Sequence, residues 1–143
     1  MTHASFGLIA GIFTLNPFYA ISTTAFAVLI DLDHVLWILG YPVIGRPNHS
    51  LPFLLVVSVI FGILFKRRNH FNFRLSTAVA SGVFSHMAYD SFVDAPSLPL
   101  LMPFSSELIA LPTWSWMLFE TLAIISALIG LLLSKRKKNE KST

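Results

Sequence analysis

The chain has no cysteine. That excludes a disulfide framework and a thiolate metal site, so any metal must be held by His, Asp or Glu. Charge is also scarce: Asp, Glu, Lys and Arg make up 12% of the 143 residues, about half the quarter typical of soluble domains. Acids are the rarer sign, seven against ten Lys and Arg. The balance is apolar, with 55% hydrophobic and 13% aromatic residues and a mean hydropathy of +0.71. This composition argues for an integral membrane protein, and the length allows one domain with four or five membrane-embedded helices. The expected fold is all-α: a polytopic helical bundle over residues 1–133, then a basic cytoplasmic tail over 134–143.

A pI near 9.5 would suit nucleic acid only if the bases formed a face, and they do not. Lys66, Arg67, Arg68 and Arg74 follow one apolar segment; Lys135, Arg136, Lys137, Lys138 and Lys141 follow another. Basic clusters at the ends of apolar segments are cytoplasmic anchors, and the second is also placed to touch anionic headgroups. The expected partner is membrane lipid, not nucleic acid.

Along the chain, residues 4–15 form a first apolar run closed by Asn16-Pro17. It has no basic residue before it and no convincing cleavage site after it, so it does not read as a signal peptide. Its Gly7 and Gly11 have the spacing that lets another helix approach closely. Residues 18–30 lead into Asp31-Leu32-Asp33-His34, and 35–44, broken by Gly40 and Pro42, read as a short or re-entrant piece. After the polar turn 45–50 come spans at 51–65 and 75–93, a Pro-rich interfacial loop at 95–112, and a span at 114–133 opened by the aromatic belt of Trp114 and Trp116. The first runs cover only roughly 18–22 Å at 1.5 Å per residue, short of a ~30 Å hydrocarbon core. They are either half-buried or continue through the Asp-Leu-Asp-His segment.

Threading the chain with both basic clusters inside puts nine of the ten Lys and Arg in the cytoplasm and leaves Arg46 outside. On the outer side fall His3, Asp31, Asp33, His34, His49 and Asp94, with His86 and Asp90 near the outer end of their span; His70 stays with the cytoplasmic bases. Ionisable groups near hydrocarbon are costly and mark function, and a divalent cation relieves repulsion among carboxylates. The pivotal stretch is Gly82-Val83-Phe84-Ser85-His86-Met87-Ala88-Tyr89-Asp90. Four residues apart on a helix, His86 and Asp90 share a face and either bind one ion, with zinc suiting the mixed nitrogen and oxygen donors, or simply pair. Such an ion, with an open position, lowers the pKa of water toward about 7, and an acid such as Asp31 or Asp33 can orient that water or accept its proton. Arg46 suits either an anionic headgroup or a role as interface anchor. Asp33 and His34 also suit helix capping, and Glu120 a polar partner within the bundle.

Taken in order, Thr2-His3, Asp31-Leu32-Asp33-His34, Asn48-His49-Ser50, Ser85-His86-(x3)-Asp90 and Leu100-Leu101-Met102-Pro103-Phe104 resemble the YdjM-like family of membrane-bound metal-dependent hydrolases. That family is itself similar to the zinc phospholipase C and P1 nuclease superfamily. The resemblance covers residues 2 to about 104 and implies that His3, Asp31, His49, His86 and Asp90 are metal ligands; Asp33 and His34 lie in the family's acidic motif, His34 as a further candidate ligand. Two departures stand out. The family writes its third motif His-Arg-Gly-x-Thr-His-Ser, whereas this chain reads Ile44-Gly45-Arg46-Pro47-Asn48-His49-Ser50, with Ile44 in place of the first histidine and Asn48 in place of threonine. The soluble relatives also carry a second His-x3-Glu pair, for which this chain offers Trp116-(x3)-Glu120. The donor set therefore suits one or two ions, zinc being the expected metal, rather than a trinuclear cluster.

The implied activity is metal-dependent hydrolysis at the extracytoplasmic face of a prokaryotic inner membrane, on a phosphoester of a lipid or lipid-linked substrate. The alternative is a non-catalytic membrane protein with a structural ion or a scaffold role. Proton or ion transport is disfavoured, because the ionisable residues gather on one side and only Glu120 lies deeper. The topology has a direct check in this cysteine-free chain. A cysteine introduced near residue 49 is expected to react with an impermeant reagent from outside and one at residue 70 only from the cytoplasm; the reverse pattern would invert the arrangement.

Overall fold

The computed structural model describes residues 2–40, 46–66, 71–93 and 97–139, excepting the side chains of Asp33, Trp37, Lys135 and residues 137–139. The readings placed above on Ile44, Arg67, Arg68, His70, Asp94, the Asp33 carboxylate and the tail from residue 140 lie outside the described residues.

Three of the helices begin where the sequence supplies a side-chain cap. Helix α1 (His3–Ile12) ends before Asn16, whose side chain accepts from the Phe18 and Tyr19 amides to open α2 (Pro17–Leu29), with Pro17 in the first turn where its missing N–H is harmless. After one turn at Ile30–Asp31 the chain resumes as α3 (Leu32–Ile38). A short 3-10 turn, Pro47–His49, leads to Ser50, which caps α4 (Leu51–Leu64) by accepting from the Phe53 amide. Asn72 does the same for α5 (Phe73–Val93) through the Leu75 amide. The last helix, α6 (Ser115–Asn139), runs on into the basic residues.

Helix α5 is the centre of the bundle. It packs against α1, α2, α4 and α6, and its buried residues include Ser81, Ser85, His86 and Ser91 as well as Val79, Val83 and Met87. The apolar cluster at the His86 level draws Phe6 from α1, Ile30, Leu54 from α4, Met87 and Ala88 from α5, and Phe119 from α6. Close approach of α2 is what makes this possible. A Cβ on Gly82 would lie 2.5 Å from the Thr23 carbonyl oxygen and 2.7 Å from Phe26 Cβ, and one on Gly7 2.6 Å from Ala27 Cβ. The Gly7/Gly11 pair read from the sequence does serve a close helix crossing, with α2 held between glycines of α1 and α5. Thr23 also donates from its hydroxyl to the Ala78 carbonyl across the α2–α5 crossing, 3.1 Å away.

The outer helices turn apolar side chains outward: Leu55, Val56, Val59, Ile60 and Ile63 on α4, and Met117, Leu118, Ile125, Ile129 and Leu132 on α6, are all exposed. So much contiguous apolar surface belongs against lipid. Two stretches are long and apolar enough to cross a membrane, Pro17–Leu36 and Ser115–Ser134, 20 residues each. The expectation of four or five membrane-embedded helices is thus met in part. Helices α1 and α4, with 10 and 14 residues, are roughly 15 and 21 Å long, short of the ~30 Å core. Helix α5 has the length at 21 residues, but its serines, His86 and Asp90 make it a shielded core rather than a lipid-facing span. The first of these apolar stretches runs on through Asp31 and His34.

The 95–112 loop departs from an all-α fold. Ser97–Leu98 pairs antiparallel with Ile109–Ala110 as strands β1 and β2, with Ser97 opposite Ala110. Leu98 is the anchor, 2% exposed within the core cluster, and two-residue strands carry too little periodicity to be read from sequence. Because α2 and α5 touch at Gly82 without slack, Gly82→Ala is expected to cost about 1–3 kcal/mol by overpacking. Thermal or denaturant unfolding of the purified variant checks this; unchanged stability would contradict the close crossing.

Candidate metal centre

Helix α5 sets His86 and Asp90 one turn apart on the face toward α1 and α2. His86 is fully buried, and its Nδ1 lies 2.8 Å from the Ala27 carbonyl oxygen of α2. A carbonyl only accepts, so Nδ1 carries the hydrogen and, in the neutral ring, Nε2 keeps its lone pair for the interior. His49 arrives opposite, also fully buried. Several short contacts hold its turn: Ser50 donates to the Pro47 carbonyl at 2.7 Å, Leu51 N–H to the Leu100 carbonyl at 3.0 Å, and the Asn48 amide reaches the Ile30 carbonyl at 3.4 Å. That last contact ties the turn to the residue before Asp31. The turn opens on Arg46 with φ 47° and ψ 56°, a left-handed conformation that non-glycine residues adopt at a cost.

His49 Nε2 and His86 Nε2 lie 2.8 Å apart. Asp90 Oδ2 stands 3.3 Å from the first and 3.4 Å from the second, and Asp31 Oδ1 3.9 and 3.7 Å from the same two atoms. Tetrahedral zinc with bonds of ~2.0–2.1 Å has ligand–ligand edges of about 3.3–3.4 Å. The separations among His49, His86 and Asp90, 2.8 to 3.4 Å, lie near that edge, so two imidazole nitrogens and one carboxylate oxygen fit one divalent ion, with the Asp31 carboxylate beside them. Groups of three ligand atoms lie within 4.8 Å of one another in two sets, His49/His86/Asp90 and His3/Asp31/His86.

The remaining candidates sort by position. His3 reaches Asp31 Oδ2 with Nδ1 at 3.2 Å and Asp90 Oδ1 with Nε2 at 2.9 Å. His34 stands at the rim, half-exposed, with Nδ1 3.3 Å from Asp31 Oδ1, and belongs to neither ligand group. Arg46, also half-exposed, places Nη2 2.8 Å from His49 Nε2 and 4.0 Å from Asp90 Oδ2. Glu120 is not part of the cluster: it is buried on α6, with Ser85 of α5 as its polar neighbour. Ser85 precedes His86 by one residue and so points to a different side of α5.

Two contributors escaped sequence reading. The Ala27 carbonyl carries no residue-type signal, and Tyr89 looks like core although its ring meets that of His3 at 4.1 Å.

Residues 1–142 match the model of the YdjM inner membrane protein family. The chain belongs to that family. No curated protein and no solved structure matches it. As a YdjM protein it is a membrane protein, in keeping with its two apolar stretches and outward-facing apolar helices. An ion at a hundred times its Kd stabilises a native site by about 2.7 kcal/mol. Zinc is therefore expected to raise the unfolding temperature of this YdjM protein and of its His34→Ala variant by several degrees, and to leave His49→Ala unmoved. A lost response in His34→Ala, or a retained one in His49→Ala, would contradict the ligand set.

Proposed function

We propose that this YdjM protein is a metal-dependent hydrolase acting at the extracytoplasmic membrane face on a phosphoester of a lipid or lipid-linked substrate. The carrying observation is the convergence of the His49 and His86 Nε2 atoms with Asp31 Oδ1 and Asp90 Oδ2. His49, His86 and Asp90 would hold a divalent ion, zinc by preference for mixed nitrogen and oxygen donors, which when bound would acidify water and polarise a phosphoryl oxygen.

The chain's own residues supply the rest. Asp31 is the more exposed of the two carboxylates, at 29% against 13% for Asp90, and is the group placed to take the proton of an attacking water. His34, at 3.3 Å from the same carboxylate and open to solvent, is placed to pass that proton outward; Asp33, a neighbour in the chain, remains a second candidate for the base. Arg46 borders the site with a half-exposed guanidinium, whose donor fork suits a phosphate. The lipid preference rests on the exposed apolar side chains of the surrounding helices, a surface suited to lipid.

A structural ion in a non-catalytic protein is the second reading, favoured by Ile44 in place of the family motif's first histidine. Assay of the detergent-purified protein with zinc or manganese separates the two. Chelator-sensitive release of phosphate or headgroup from phosphatidic acid, phosphatidylglycerol or a lipid pyrophosphate is expected. Asp31→Asn should reduce it roughly 100-fold or more, and Arg46→Ala should act chiefly on KM. Full ion binding without turnover of any of these lipids would favour the structural reading.

A further inference from the structure

We propose that His3 is a positioning residue that clamps both carboxylates of the centre from behind, and is not a ligand of the ion. This rests on the metal site proposed above and assigns His3 a role different from the one the family resemblance implies.

Three observations carry it. First, His3 contacts one oxygen of each carboxylate, Asp31 Oδ2 at 3.2 Å and Asp90 Oδ1 at 2.9 Å, whereas the other oxygen of each, Asp31 Oδ1 and Asp90 Oδ2, faces the paired histidine nitrogens. Each carboxylate is thus divided, one oxygen inward and one backward, and a single imidazole spans the two backward oxygens. Second, the His3 ring lies nearly parallel to that of His86, with centroids 4.2 Å apart and planes 13° apart. A metal sits in the plane of an imidazole that binds it. Two stacked imidazoles direct their lone pairs into separate, nearly parallel planes and cannot meet on one ion ~2 Å from each. His49 and His86, inclined at 65°, can. Third, the Tyr89 ring meets the His3 ring at 59°, centroids 4.1 Å apart, so two aromatic rings pack against His3 and hold it in place. The proximity of His3 to Asp31 and His86 reflects stacking and carboxylate contact.

The arrangement makes the first residue of α1 the part that aligns the carboxylate of the turn after α2 with the one from α5. Outer partners of this kind change metal affinity by about 10- to 100-fold without changing the ligand count.

The test uses the full chain in detergent, with copper(II) as the spectroscopic probe and zinc for affinity. Pulsed EPR should count two imidazoles on copper in the wild type and again two in His3→Phe, which keeps the ring stack but loses both nitrogens. His86→Gln should show one or fail to bind. Zinc affinity should fall 10- to 100-fold in His3→Phe and by less in His3→Gln, whose amide can still donate to one carboxylate. If His3→Phe does not fold, the imidazole count in His3→Gln decides the same point. Three imidazoles in the wild type, or one fewer in a His3 variant, would overturn the inference and leave the metal site standing. Unchanged zinc affinity in His3→Phe would overturn the clamp. No ion bound by the wild type would instead overturn the metal site itself.

Discussion

The hydrogen bond from His86 Nδ1 to the Ala27 carbonyl, 2.8 Å long, holds the site and the bundle together. It ends one helix-crossing requirement and begins a chemical one. The carbonyl is within reach because Gly82, one turn earlier on α5, lets α2 approach to a distance no side chain would permit. Once made, the bond fixes both the tautomer and the orientation of the ring and leaves Nε2 for the interior. His49, Asp31 and Asp90 then have a fixed atom to converge on, and the turn carrying His49 is tied by Asn48 to the residue preceding Asp31.

The same constraint accounts for the layout of the membrane domain. A helix carrying His86, Asp90 and four buried or near-buried serines is expensive in hydrocarbon, so α5 lies inside a jacket of apolar helices. Because the jacket faces lipid, its helices need not be amphipathic in the soluble sense; they expose leucine, isoleucine and valine outward and present small residues inward. Glu120 is the one buried acid of α6, set against Ser85 and away from the metal donors. Its polar neighbour Ser85 comes from α5, again the polar axis of the bundle.

Much of this was legible in the sequence because the relevant residues are rare. In a chain with so few charges, the positions of His3, Asp31, His49, His86 and Asp90 stand out, and threading by the basic clusters already gathers them. The i to i+4 spacing of His86 and Asp90 placed both on one face, as the structure bears out. What sequence could not supply was orientation. Nothing in a residue type distinguishes an imidazole stacked flat on His86 from one inclined to it, which is the difference between His3 and His49. His34, three residues from Asp31, ends half-exposed at the rim of the cluster it borders. The Ala27 carbonyl is backbone and leaves no trace in composition, and the β1–β2 pairing is held by one buried leucine rather than by a periodic pattern.

The most direct measurement is the metal content of detergent-purified protein by elemental analysis, wild type beside the double variant His86→Ala/Asp90→Ala, both supplied with metal during growth. Zinc or manganese in stoichiometric amount in the wild type, absent from the double variant, is the expected result. A folded wild type without metal would contradict it, reducing the four converging side chains to a polar bundle core.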